Sequence, residues 1–319
     1  MADSKNNWIS IYLFYDYDLS LLLVKLVIPL VNQWTKKKLI TNYFFIRYWE
    51  EGQHIRLRIK TENKLSENSI KNEVIKIYKQ EFLNTKYYDD TFNVLFQPYE
   101  PEINRYGGRE ATQFAELFFE YHSKIYLSIL SKYWHKWNCS LALSIDIQMI
   151  IIFLKTSGCG IEDCILISDF LFSKSVVFSI NESRMQDYEK EILKHLNLYN
   201  NLFSKQKSTI NFICDEIWNH SNWEKSNWRF HWTENCKEII SSLQILKAQG
   251  LIKVPLPQNE LNKLEEIHMI KNIEWLIWQS YFHMINNRMG VFCREESFVY
   301  FALLEGFRNL SKSNINHIK

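Results

Sequence analysis

Hydrophobic and polar positions change their period once along this chain. From residue 8 to 16 (WISIYLFYD) they alternate in twos, the period of a strand. Residues 18–34 carry Leu, Val and Ile at three-to-four spacing, which predicts a helix. Two more alternating runs, 43–49 and 54–60, flank Glu50-Glu51-Gly52-Gln53, a hairpin signal in which Gly52 supplies the positive φ of the turn. A helix over 66–84, opened by Ser66 with Glu67 and carrying Ile70, Val74, Ile77 and Tyr78, precedes a strand over 92–97. Strand, helix, strand, strand, helix, strand is the split β-α-β order of a ferredoxin-like layer. Such a sheet has one helix-covered face and one free to carry a site. Beyond Gly108 the period is helical, over roughly 109–134, 138–156, 161–172, 182–219, 233–248, 259–287 and 294–311, with Pro255 and Pro257 as the clearest break. The fold class expected is α+β: an N-terminal ferredoxin-like antiparallel sheet layer (1–108) packed on a larger, mainly helical part (109–319), the two sharing a core as one domain.

Composition agrees with long regular elements. The chain has 319 residues with only 8 Gly and 5 Pro, and 46% hydrophobic residues suffice for a large core. Net charge is +2 and the longest basic run is Lys36-Lys37-Lys38, so no nucleic-acid footprint is present. The start is polar and lacks the apolar core of a signal peptide. The apolar stretch 19–31 is broken by Lys25 and Pro29, and 147–154 is shorter still; neither reads as a membrane span. A soluble, cytoplasmic chain is the expectation. Six scattered cysteines (139, 159, 164, 214, 236, 293) lack zinc or redox spacing and read as buried thiols. No phosphate loop, dinucleotide fingerprint or zinc-protease helix occurs.

Candidate chemistry gathers in three segments. In the hairpin YFFIRYWEEGQHIRLRIK (43–60), alternation points Ile55, Leu57 and Ile59 one way and His54, Arg56 and Arg58 the other. A four-residue loop pairs Trp49 with His54 and Arg47 with Arg56. Like charges facing each other destabilise a sheet. Arg47, Arg56 and Arg58 on one face therefore need acidic neighbours such as Glu50 and Glu51, or an anionic ligand gripped by their guanidinium forks. In YEPEINRYGG (99–108), Pro98 and Pro101 keep the chain extended and Gly107-Gly108 permits a tight turn. Glu102 either neutralises and orients an arginine or forms a structural pair with Arg105. The third segment, YFHMINNRMG (281–290), ends a helix apolar nearly all round, which predicts burial. His283 there, with Asn287 four residues on, is either a hydrogen-bonded core residue or a neutral base.

Together, HIRLR, EINRYGG and HMINNR, in this order over nearly the whole chain, resemble the C-terminal elimination domain of class I lantibiotic dehydratases and the thiopeptide-type bacteriocin biosynthesis proteins. In that family a separate large domain glutamylates Ser and Thr of a precursor peptide from glutamyl-tRNA. The smaller domain then eliminates glutamate to leave dehydroalanine or dehydrobutyrine. The resemblance implies that Arg56, Arg58 and Arg105 bind the glutamyl carboxylates and stabilise charge. It makes Glu102 the acidic partner holding the arginines and His283 the group that moves the proton. Arg47, His54, Tyr106, Asn287 and Arg288 are expected around the substrate. No cofactor and no metal is implied. Where many relatives carry Asp-Ser in the helix after RYGG, this chain has His122-Ser123. With no glutamylating region ahead of it, the chain is expected to be half of a split dehydratase. Its partners would be a glutamylated precursor peptide, leader plus core, and a separate tRNA-dependent glutamylating enzyme. No direct nucleic-acid contact and no membrane span are expected; a homodimer stays open. Two alternatives belong to other classes: a pyridine-forming cyclase, which joins two dehydroalanines on the same fold, and a non-catalytic peptide-binding partner of the glutamylating enzyme.

Overall fold

A computed structural model describes residues 8–61, 64–82, 93–179, 188–220, 222–253, 256 and 274–318. The expected strand start at Phe92, the helix end at Asn84, the helix over 259–273 and the Pro255/Pro257 break lie outside these residues. The chain divides into one unit of Met1–Pro101 with Glu116–Trp137 and another of Glu102–Ala115 with Asn138–Lys319.

In the first unit, β1 (Trp8–Phe14), β2 (Ile40–Tyr48), β3 (His54–Thr61) and β4 (Val94–Gln97) form an antiparallel sheet in the order β2-β3-β1-β4. That order is the ferredoxin-like arrangement expected from the element sequence. The helix expected over 18–34 is α1 (Leu19–Leu22), a π-helical turn (Leu23–Val27) and α2 (Ile28–Lys36). Asp18 caps its start by accepting from the Ser20 N–H at 2.8 Å. Pro29 has no N–H to continue an α ladder, which accounts for the widened turn just before it. With α3 (Lys64–Phe82), these helices cover one sheet face, α2 on β2 and α3 on β3. On that face Ile55, Leu57 and Ile59 are completely buried, each contributing about 1.5–3 kcal/mol by burial. The long helix α4 (Arg109–Tyr133) belongs to this unit from Glu116 onward and lies along the β2 edge. Its Ser123 Oγ accepts the Phe45 N–H at 3.2 Å, covering an edge strand that would otherwise present open donors.

The hairpin register corrects the expected one. The loop has five residues, 49–53, because Trp49 leaves the strand to join it, its carbonyl accepting the Gly52 N–H at 3.2 Å. Glu51 (φ 62°) and Gly52 (φ 115°) both take positive φ. The pairs are therefore Tyr48 with His54, Ile46 with Arg56 and Phe44 with Arg58. A one-residue slip exchanges faces. Arg47 pairs with Ile55 and stands on the helix-covered side, away from Arg56 and Arg58. The opposite face is also not free as expected, since Ser10 is fully buried there and Arg58 is 6% exposed.

The second unit is helical: the first turns of α4, α5 (Cys139–Thr156), α6 (Ile161–Ser179), α7 (Tyr188–Asn219), α8 (Trp228–Ala248), α9 (Glu274–Met289) and α10 (Cys293–Ile318). Helix α5 is long and apolar enough to cross a membrane, yet 61% of it is buried among α7, α8, α9 and α10, as a core helix. Its Lys155 Nζ donates to the Ile217 and His220 carbonyls at 3.2 and 3.1 Å, satisfying the frayed C-terminus of α7. Of the cysteines, Cys164, Cys214 and Cys236 are buried free thiols, Cys159 is half-buried, and Cys139 is exposed against expectation.

Candidate active site

On the arginine face of the sheet, β3 supplies His54, Arg56 and Arg58, and β1 supplies Ser10, Tyr12 and Phe14 opposite them. The arginines meet aromatic rings rather than the turn acids. The Arg56 guanidinium lies 3.3 Å from the Tyr48 ring centre and 4.7 Å from that of Tyr12. Glu50 instead accepts from the Tyr48 hydroxyl at 2.8 Å. Arg56 Nε donates to His54 Nε2 at 3.1 Å. His54 must then carry its proton on Nδ1, which donates to the Gly52 carbonyl at 2.7 Å. Burial pulls the His54 pKa down, as do Arg56 and Arg58, against the Gly52 bond. His54 is thus a neutral, buried spacer that fixes Arg56.

Arg58 sits between Tyr12 and Tyr99, 5.3 and 5.5 Å from their ring centres. Burial pulls its pKa below the usual arginine value. Tyr12 is hydrogen-bonded to it, but its Nε and Nη1 are buried with no hydrogen-bond partner among the described residues. No carboxylate pairs with Arg56 or Arg58 among these residues. Arg47 contrasts with both: its Nη2 donates to Tyr126 Oη at 2.7 Å and Ser20 Oγ at 3.1 Å, and it is 3% exposed. It stands on the helix-covered side of the sheet, apart from the face of Arg56 and Arg58.

In the second unit, Glu102 precedes a 3-10 turn (Ile103–Tyr106) and Arg105 lies within it. Arg105 Nη1 bonds Glu102 Oε2 at 3.1 Å, with the two side chains 40% and 61% exposed. Such an exposed pair contributes at most about 1 kcal/mol to stability. It holds an arginine at the surface without consuming all its donors. Gly107 and Gly108 follow with φ of 93° and 98°. A Cβ on Gly107 would lie 2.9 Å from Ile277 Cδ1, so the turn presses directly on α9. Tyr106 is buried against Tyr281, and burial pushes its hydroxyl up to about 12.

Helix α9 is as buried as its all-round apolar pattern predicts. Between Trp275 and Met289 only Gln279 and His283, four residues apart on one side, are less than buried. His283 is 34% exposed, and its Nδ1 lies 3.0 Å from Glu296 Oε2 and 3.2 Å from Oε1. Glu296, in the first turn of α10, also accepts from the Tyr300 hydroxyl at 2.8 Å. Tyr300 in turn receives Asn286 Nδ2 at 3.1 Å. Burial pushes the Glu296 carboxyl up, but bonds and charge from His283, with bonds from Tyr300 and Asn286, outweigh it and hold it below the usual value. Asn287 is 4% exposed. Arg288 is fully buried in the interior of this unit, with Nη1 donating to the Met284 carbonyl at 2.9 Å.

The aromatic walls Tyr12, Tyr48 and Tyr99 and the carboxylate Glu296 were missed in the sequence. Tyr12 was findable, because alternation in WISIYLF puts it on the face away from Ile9, Ile11 and Leu13, and a ferredoxin-like order sets β1 beside β3. Glu296 carried no such signal beyond acidic residues at a helix start.

Comparisons with known proteins agree with this architecture. The family model described as lantibiotic biosynthesis dehydratase C-term matches residues 8–305. No curated protein matches the sequence. Among solved structures, that of TsrL is similar with a TM-score of 0.71 at 14% identity, covering 95% of this chain and 94% of TsrL. The pyridine synthase TbtD, from thiomuracin biosynthesis, aligns with a TM-score of 0.65 at 10% identity, covering 95% of this chain and 98% of TbtD. The tRNA-dependent lantibiotic dehydratase MibB from Microbispora sp. 107891 aligns with a TM-score of 0.60 at 14% identity, covering 98% of this chain but 29% of MibB. At these identities the structures establish a shared fold.

Proposed function

The chain belongs to the lantibiotic dehydratase C-terminal family, a family of biosynthetic enzymes, and we propose that its reaction is elimination of glutamate from glutamylated Ser or Thr of a precursor peptide. The observation that carries this reading is Arg58: a buried guanidinium with, among the described residues, no partner for two of its nitrogens and no carboxylate beside it. An unfilled buried donor costs about 1–3 kcal/mol. That cost is offset when an anion supplies the acceptors, as a departing glutamate carboxylate does.

The roles follow from chemistry. A base removes the Cα proton of the glutamylated residue, the Cα–Cβ double bond forms, and the Cβ–O bond breaks with its electron pair leaving on glutamate. Arg56 and Arg58 stabilise the negative charge that develops on the leaving carboxylate, and fixed donors of this kind act most strongly where water is excluded. Arg105, presented by Glu102, is a further carboxylate grip at the surface of its unit. His283 takes the proton, since it is the group of α9 that is both basic and accessible. The glutamyl ester itself is made by a tRNA-dependent glutamylating enzyme or domain.

The test is incubation with a glutamylated precursor peptide, followed by mass spectrometry. Loss of glutamate with appearance of dehydroalanine or dehydrobutyrine is expected. Ring closure of a dehydrated peptide would favour the pyridine-forming reading instead, and an unchanged peptide that stays bound would favour the non-catalytic one.

A further inference from the structure

We propose that Glu296 is a positioning residue that holds the proton of His283 on Nδ1 and so makes Nε2 the atom that accepts the substrate's Cα proton. This rests on the elimination reading above for what Nε2 does, but not for where the proton sits. Two observations and one chemical rule carry it. Glu296 faces His283 Nδ1 with both oxygens, at 3.0 and 3.2 Å. It is 13% exposed while the histidine is 34% exposed, so the carboxylate forms the inner end of the pair. An ionised carboxylate only accepts, so the shared proton belongs to Nδ1 and the lone pair of the neutral ring is left on Nε2.

The direction of the remaining bonds makes the arrangement stricter than a simple ion pair. Asn286 Nδ2 donates to Tyr300 Oη at 3.1 Å, which obliges Tyr300 to turn its own proton toward Glu296 Oε1 at 2.8 Å. Helix α9 thus contributes His283 and Asn286, three residues apart, and α10 answers with Glu296 and Tyr300, four apart. Both rows lie at helix spacing, so the pair is held by two rigid elements. One further acid belongs to this cluster: Asp146 of α5, fully buried with neither oxygen hydrogen-bonded among the described residues. Burial and the charge of Glu296 push it well above the usual carboxyl value. Asp146 is thus pushed toward the neutral form, while its bonds hold Glu296 toward the anion facing the ring.

The donor chain predicts an outcome specific to this geometry. In Glu296→Gln the amide oxygen stays under the Tyr300 donor, and the amide NH2 takes the place of Oε2. It then donates to His283 Nδ1, the histidine proton moves to Nε2, and the base is lost. Glutamate elimination should fall about 10³–10⁴-fold in kcat, the scale seen when a carboxylate orienting a catalytic histidine becomes an amide, with little change in KM. Adding Tyr300→Phe removes one of the two donors, Tyr300 and Asn286, that hold this side chain on its inner side, and should restore part of the Nδ1–H form and part of the rate. Glu296→Asp keeps the anion and should retain the Nδ1–H form.

The experiment is nitrogen NMR of protein labelled with 15N-histidine, without substrate. The His283 signal is assigned by its absence in His283→Phe, and elimination rates are measured on the same variants. Nδ1–H in the wild type, Nε2–H in Glu296→Gln and recovery in Glu296→Gln/Tyr300→Phe support the proposal. An Nε2–H wild-type ring, or a Glu296→Gln protein with the wild-type rate, overturns it. Should the wild-type protein eliminate no glutamate, the functional reading fails, and the tautomer measurement, which needs no substrate, still decides where Glu296 puts the proton.

Discussion

Arginines 47 and 58 share a chemistry and a hairpin, yet their surroundings set opposite expectations. Arg47 is satisfied by Tyr126 and Ser20, whereas Arg58 keeps two nitrogens without partners among the described residues. Arg58→Met should therefore raise the urea midpoint, by up to about 1–3 kcal/mol in stability. Its elimination rate should drop about 10²–10³-fold. Arg47→Met should do the reverse, costing about 1–3 kcal/mol by orphaning two buried hydroxyls, with the rate per folded molecule unchanged. Urea melts run beside the mass-spectrometric assay check both; a destabilised Arg58→Met protein would make Arg58 a structural residue. Asp146 gives a pH signature. Its folded pKa is raised by burial and by Glu296, so above the unfolded value of about 4 the folded state holds the extra proton. Stability then falls as pH rises, and below that value the penalty is absent. The urea midpoint at about pH 8 relative to about pH 5 should drop more in the wild type than in Asp146→Asn; equal drops would remove Asp146 from the balance.

Two short elements decide where the chemistry stands. The hairpin loop was legible as a turn with positive φ at Gly52, but its length was not: Trp49 joins it by accepting the Gly52 N–H at 3.2 Å, while the other end is tied by Tyr15 N–H to the Gln53 carbonyl at 3.0 Å. A contact to another segment set the register, and register decides faces. The Gly107-Gly108 turn was legible as tight, while its fit against Ile277 emerges only once α9 is packed there. Gly107→Ala places a Cβ 2.9 Å from Ile277 in a left-handed backbone with φ of 93°. A loss of about 1–3 kcal/mol is expected from strain of this kind. Calorimetry checks it, and a variant melting with the wild type would show that the turn relaxes freely.

At the scale of the molecule, the proposed chemistry would put this chain after a glutamylation step. A glutamyl ester handed over on its leader reaches the site at a higher effective concentration than a free core peptide. Elimination from a leaderless glutamylated core should therefore be slow, and adding the leader or the glutamylating enzyme in trans should restore it. Full speed without either would leave the chemistry standing and remove the hand-over. What the sequence determined alone was set by local periodicity: the strand–helix order and hence the ferredoxin-like sheet, the buried character of α9, and the arginine, EINRYGG and HMINNR segments. Alternation and helical spacing are written residue by residue, so they survive without a partner. Tertiary structure alone decided that Arg47 turns into the helix-covered side, that Arg58 is walled by Tyr12 and Tyr99, and that His283 meets Glu296. The first two depend on contacts between segments far apart in the chain and the third on how two successive helices pack, and no local pattern encodes which side chain arrives on the other side.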